Sequence, residues 1–536
     1  MNKYIGLSIV ALGLTFTSCN DFLDTTPDNR ATIDSEEKVE KLLVSAYSTA
    51  SYVYFCEAMS DNFDDYGEAN PNTDRFVDEV YAWKDVTEDD NESPERYWTG
   101  AYDAIIQANQ ALEAIGNVGN SRNMQEARAE ALLSRAYHHF MLVNIFAKNY
   151  NSATSDTDPG VPYLGGVEDK LDEHHERASV ATVYQMIDRD LQEALPLVGS
   201  DYMSVPKYHF NPKAAYAFAA RFYLFYEKWD LALKYANLCL GANAASQIRN
   251  WQAWSQIGTD REVQFNDWID ASHNANLLLM TAYSELGVYF GPWTYRKRYT
   301  HGSYLADNET CNAANVFGVG YSHYYVPAAR FAGNNYNFVV WYKSPYLFEE
   351  TDPVNRTGFD HTVYAALTSD EVLLTRAEAY IMLNEYDKAA ADLNTWAHSI
   401  SSTTTTLTAD YIKDFYNSVG YSYDALDQDG NVVGVDGTIS TIKKHLHPAF
   451  TIDEEGSTQE AMLQCVLGFR RIQFLQEGLR WFDIKRYGIE IPRRVIAADG
   501  TPVPDGVYDW LTVNDERRAV QIPPRVRDSG IEANPR

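Results

Sequence analysis

Glu371-Val-Leu-Leu-Thr-Arg376-Ala-Glu378-Ala-Tyr380-Ile-Met-Leu-Asn-Glu385-Tyr386-Asp-Lys-Ala389-Ala-Ala-Asp-Leu393-Asn394 reads as a helix, a short turn and a second helix. Small residues at helical spacing let two helices approach, and the aromatic residues plug the gap between them. The pattern occurs twice. Ala220, Tyr223, Trp229, Asp230 and Ala232 align with Ala377, Tyr380, Tyr386, Asp387 and Ala389 at a constant offset of 157. This is the chemistry of tetratricopeptide (TPR) helix pairs, with ordinary amphipathic pairs as the alternative. The offset is not a multiple of the repeat length of about 34 residues, so the array is interrupted.

Outward from that pair, helical periodicity also marks Val39–Ala46 behind Asp34-Ser35, Trp98–Asn109, Ala127–Phe146 and Val180–Leu195. The expected fold is mainly α, a scaffold of about four TPR-type helix pairs within 35–240 and 370–400. Three stretches lose the period. They are Asp61–Pro94, an inserted lobe at about 241–369, and an irregular stretch over 401–458. Long irregular connections of this kind carry function more often than structure. Asp427-Gln-Asp429-Gly430-Asn431 reads as a tight turn. A helical segment over 459–490 and a closing segment to 536 complete a single unit over 35–536.

The chain has 536 residues and a formal charge of −31, which argues against a broad basic face for nucleic acid. Aromatic residues make up 13%, led by tyrosine, an excess that core packing alone does not require. Residues 1–18 read as an export signal, with Lys3 ahead of the apolar run Ile5–Phe16, too short to span a bilayer. Cys19 follows Thr17-Ser18 and reads as a lipidation site, and 19–34 as a tether behind it. Cys56, Cys239, Cys311 and Cys465 show no metal spacing and read as buried free thiols.

Four motifs, in order along the chain, resemble the SusD/RagB family of surface lipoproteins. These are Cys19-Asn-Asp-Phe-Leu-Asp24, the Glu371–Asn394 pair, Arg470–Arg486 with Glu477-Gly478-Leu-Arg480-Trp-Phe-Asp483, and Gln521-Ile-Pro523 with Ile531-Glu-Ala-Asn534-Pro535. The resemblance implies a non-catalytic outer-membrane protein, lipid-anchored and surface-exposed. It would capture oligosaccharide and act as the lid of a SusC-like TonB-dependent transporter. Oligopeptide capture by the same scaffold, as in RagB-like members, and an anchored glycoside hydrolase are the alternatives.

On their own chemistry, Glu477, Arg480, Asp483 and Arg486 stand at helical spacing and read as a structural ion-pair network. Gly478 would admit a neighbouring helix. No nucleophile elbow, HExxH, P-loop or complete GxGxxG is present, and no cofactor or metal is expected. Asp61, Asp64, Asp65 and Glu68 read as a solvated acidic loop, with calcium ligation or a glycosidase acid pair as alternatives. Aromatic rings stack on the apolar faces of sugars, while polar side chains bond the hydroxyls. By position in the two aromatic-rich segments, the expected glycan-binding residues are Tyr66, Tyr81, Trp83, Trp293, Tyr295, Arg296, Tyr321, Tyr324 and Trp341.

Overall fold

The pairing read from Glu371–Asn394 is present. Helix Ser369–Met382 turns through Leu383–Glu385 into helix Tyr386–Ile400, and helix Pro212–Phe225 turns in the same way into Trp229–Leu240. The two turns match residue for residue at the offset of 157. Glu227 and Asn384 both adopt a left-handed backbone, with φ of 59° and 60°. The Lys228 N–H donates to the Tyr223 carbonyl (2.9 Å), as the Glu385 N–H does to the Tyr380 carbonyl (2.8 Å), which closes each first helix.

The computed structural model describes residues 33–167, 175–258, 260–291, 297–319, 324–325, 329–333 and 336–536. It is mainly helical, 45% helix against 14% strand, as the sequence predicts. Helix Pro94–Val118 packs on Arg122–Phe146, which packs on Val180–Ala194. Ser369–Met382 lies between Trp229–Leu240 and Thr458–Gln473, bringing the two halves of the interrupted array together. One apolar core runs from Ala50 to Ile522, and a smaller one joins Val39 and Leu43 to Ala108 and Met124. Cys56, Cys239, Cys311 and Cys465 are buried free thiols.

The stretches expected to be irregular contain regular structure. Strands Asn276–Tyr283, Thr357–Thr368 and Leu347–Asp352 form an antiparallel sheet in that spatial order. The run Leu277–Met280 is buried, so it shows no alternation, and aperiodic apolar residues conceal a strand from a search for helical period. Asp61–Pro94 holds the short helix Arg75–Tyr81. The 401–458 stretch holds helix Ala409–Asn417 and a hairpin whose turn is the expected one. There Asp427 Oδ1 accepts from the N–H groups of Asp429 (2.9 Å) and Asn431 (2.8 Å).

The C-terminal charges are a structural ion-pair network, but their partners are not one another. Arg480 forks onto Asp61 (2.8 and 2.9 Å), Asp483 takes Arg470 (3.0 Å), Arg486 reaches Glu378 (2.8 Å) and Lys343 bonds Glu477 (2.6 Å). Arg471 bonds Glu309 (2.6 Å), which also receives Lys444 (2.7 Å) and Arg494 (3.1 Å), and Arg494 in turn bonds Asp64 (3.0 Å). Helical spacing makes neighbours possible, but the buried environment selects long-range partners instead. The acidic run at 61–65 is therefore no solvated loop: Asp61, Asp64 and Asp65 are buried and each is held by arginine. Burial opposes ionisation of Asp61, yet Arg471 and Arg480 outweigh it and hold its pKa well below the usual carboxylate range.

Gly478 supplies the close approach expected of it. Its φ is +73°, and an added Cβ would stand 2.8 Å from the Val53 carbonyl oxygen on helix Val53–Met59. Both the backbone and the space exclude a side chain. Gly478→Ala should lower unfolding free energy by at least about 2 kcal/mol in a urea titration.

Candidate ligand face

The two aromatic-rich segments meet. Asp64-Asp65 pairs antiparallel with Tyr299-Thr300, and Asp65 pairs in parallel with Val495. Arg298 forks onto Asp65 (2.8 and 2.9 Å), the Tyr66 N–H donates to the Arg298 carbonyl (2.8 Å) and the Arg298 N–H to the Asn72 carbonyl (3.1 Å). On the other side, short helix Leu286–Phe290 sits tightly on Pro345-Tyr346, where a Cβ on Gly287 would come within 2.4 Å of the Tyr346 nitrogen. Buried Glu92 adds a third tie by accepting from the Glu285 N–H (2.8 Å).

Four of the expected rings stand inside this framework rather than on it. Tyr81 and Trp83 are 1% and 2% exposed. Their rings lie on the Arg493 guanidinium at 3.9 Å each, and Arg493 also donates to the carbonyls of Ala58, Met59, Ser60 and Tyr81. Tyr81 stacks on Tyr299 (4.1 Å), and the Trp83 indole N–H bonds the Met59 carbonyl (2.8 Å). Tyr324 and Trp341 are buried, edge-to-face with each other at 6.5 Å, and the Trp341 backbone N–H donates to Gln476 (3.0 Å). A stacking platform needs one ring face open to the ligand. The expectation is therefore corrected for Tyr81, Trp83, Tyr324 and Trp341: these rings are core. Tyr66 is half-buried at the junction of the two segments. Trp293, Tyr295, Arg296 and Tyr321 lie outside the described residues.

The exposed rings are others. Tyr346 and Phe348 are 41% and 50% exposed, and Tyr283 and Phe359 are 48% and 51%. In the strand register Phe348 opposes Asp360, and the Tyr346 hydroxyl donates to Asp360 (2.6 Å), so these rings share one face. Tyr283 opposes His361, two residues from Phe359, and the Tyr283 and Phe359 rings meet edge-to-face at 5.6 Å on the other face. This end of the sheet, the hairpin with the neighbouring Tyr283, thus carries two exposed rings per face, flanked by Glu349, Glu350, Asp352 and Asp360. Rings offer stacking surface and carboxylates accept from hydroxyls, while their charge repels anions. Leu347-Phe-Glu-Glu-Thr-Asp352 has no apolar alternation, so no periodic signal in the sequence marks these positions.

Beside the hairpin, the Lys297 ammonium lies 3.7 Å from the Tyr289 ring centroid and 5.5 Å from that of Tyr54. Burial pushes its pKa down to about 7, against the pull of Asp74, Glu92, Glu285 and Asp90. Burial likewise pushes Glu92 up to about 8.

Comparison with known proteins accords with this architecture. Residues 21–224 match the SusD-like family described as "Starch-binding associating with outer membrane". "SusD-like protein P38" from Formosa agariphila is 21% identical over 91% of this chain and 92% of its own. A SusD superfamily protein from Bacteroides fragilis superposes with a TM-score of 0.62 at 15% identity, over 93% of this chain and 99% of its own. One from Bacteroides thetaiotaomicron gives 0.60 at 17% identity, over 94% and 100%. A SusD-like carbohydrate binding protein from Bacteroides vulgatus gives 0.54 at 14%, over 92% and 96%. The helical scaffold with loops projected from it is the fold of SusD superfamily proteins. The chain is similar to SusD-like proteins over residues 21–224 by the family model and over most of its length by fold.

Trp83→Ala should destabilise by about 3–5 kcal/mol in chemical denaturation and leave ligand affinity of the folded fraction unchanged, because the ring plugs a core. For Glu92, a folded pKa near 8 against an ordinary value of 4.5 means that the native state retains the proton longer. Its contribution to stability is full below about pH 4.5 and falls as pH rises to about 8. Glu92→Gln should flatten the loss of unfolding free energy between about pH 5 and pH 9, measured by urea titration at each pH.

Proposed function

We propose that this protein is a non-catalytic capture lipoprotein that binds oligo- or polysaccharide at the outer membrane. It is anchored through Cys19, displayed at the cell surface, and works as the lid of a SusC-like TonB-dependent transporter. The observation that carries the reading is this end of the sheet, where Tyr283, Tyr346, Phe348 and Phe359 stand about half exposed among carboxylates. The family match adds to it. Tyr66, Trp293, Tyr295, Arg296 and Tyr321 belong to the same proposal on their residue chemistry.

The arrangement of Asp61, Asp64 and Asp65 argues against their use as a hydrolase acid pair. A general acid must release a proton near neutral pH. Asp61 is held ionised by two guanidinium groups, and Asp64 and Asp65 are each bonded to an arginine.

Isothermal titration against a panel of neutral oligosaccharides and a peptide pool tests the ligand class. Saccharide binding is expected, with no product released on prolonged incubation. Replacing Phe348 and Phe359 by Ser should weaken it about tenfold per ring while thermal unfolding is retained. Peptide binding with saccharide silence would move the reading to oligopeptide capture, and product release would move it to a hydrolase.

A further inference from the structure

A cleft of about 370 Å³ opens between 246–257 and 267–275, lined among others by Arg249, Trp254, Asp267, Ser272, His273 and Asn274. It lies at the start of strand Asn276–Tyr283, whereas the ring-bearing hairpin is at its end, roughly 25 Å away for an eight-residue strand.

Arg249 is 4% exposed. Its guanidinium lies on the Trp268 ring at 3.7 Å, and Nη2 donates to the Trp268 carbonyl (3.2 Å) and to Asn276 Oδ1 (2.7 Å). The other three N–H groups, on Nε and Nη1, bond nothing among the described residues. No carboxylate there stands within ion-pair distance. Asp370 accepts from the Arg249 backbone N–H instead (3.2 Å), Asp267 pairs with His273 (3.0 Å), and Glu477 pairs with Lys343.

Other deeply buried arginines differ. Arg221, Arg470, Arg471, Arg480, Arg486 and Arg494 each hold a carboxylate, and Arg493 is capped by four carbonyls. Trp254 also lines the cleft, 3% exposed, with its indole N–H buried behind the wall and without a partner among the described residues. The Arg249 guanidinium thus lines the cavity with N–H groups free to meet an acceptor from outside.

We propose that this cleft is a second ligand site that takes a monoanionic, carboxylate-bearing unit such as a hexuronate sugar. Arg249 receives the carboxylate, and Asp267, Ser272 and Asn274 face the hydroxyls. Asp267 in the same wall disfavours a dianion such as phosphate by like-charge repulsion. The volume suits one small ligand. The site goes beyond the capture of neutral saccharide at the hairpin and does not depend on it.

The test is calorimetric titration of the purified full-length protein with a glucuronate-terminated disaccharide, its glucose-terminated counterpart, and an N-acetylated tripeptide as free acid and as amide. The expected result is saturable binding of a carboxylate probe. Its neutral counterpart should bind at least tenfold more weakly. Glucuronate binding or tripeptide-acid binding tells a sugar source of the carboxylate from a peptide one. Ala253→Phe, at an exposed cleft position, should abolish the binding without unfolding. Silence of both carboxylate probes, equal binding of acid and neutral probes, or binding unchanged in Ala253→Phe would each overturn the assignment. Silence here with neutral glycans still binding at the hairpin would leave the capture reading standing.

Discussion

The structure depends on a lattice of buried guanidinium and carboxylate groups around Arg470–Arg494. Asp61, Asp64 and Glu309 sit among Arg471, Arg480, Arg494 and Lys444, drawing together four parts of the chain that lie far apart in sequence. Taking such charges out of water is costly, and mutual attraction offsets the cost only when every partner is in place. Loss of one member leaves a charge buried and unpaired. The lattice therefore acts less as a source of net stability than as a condition on assembly: the loop at 61–66, the 297–309 segment and the C-terminal helices must be placed together.

That condition builds the candidate face. Asp65 fixes Arg298, and Arg493 fixes the loop that carries Tyr81 and Trp83, so the base of the lobe is rigid. Rings close to these arginines are consumed as their packing partners. Rings beyond the lattice, on the hairpin of Leu347–Asp352 and Thr357–Thr368, have no such neighbour and stay open to solvent. The aromatic excess thus divides by distance from the buried charges. Arg249 marks a third situation, a buried cation with no carboxylate partner among the described residues, beside a cleft rather than within the lattice.

Much of the scaffold was legible in the sequence. The helix pairs at Pro212–Leu240 and Ser369–Ile400 follow from the spacing of small and aromatic residues, which is a local property. Even the left-handed turn residues Glu227 and Asn384 obey the offset of 157. The sheet in the lobe was not legible, because the buried run Leu277–Met280 on its first strand shows no period. Nor was the setting of Tyr81, Trp83, Tyr324 and Trp341. A ring in an aromatic-rich loop has the same chemistry whether it faces sugar or an arginine, and the Arg493 that claims Tyr81 and Trp83 lies about 410 residues further along the chain.

The amino-acid sequence by itself determined the helical class, the interrupted repeat, the resemblance to the SusD/RagB family and the existence of a charge network in Arg470–Arg486. Only the tertiary structure decided which charges pair, which rings are buried and where an unpaired cation meets a cleft. The physical reason is one of range. Helical period and turn chemistry are set by neighbours within a few residues, whereas burial and the choice of ionic partner depend on which distant segments share the same low-dielectric interior.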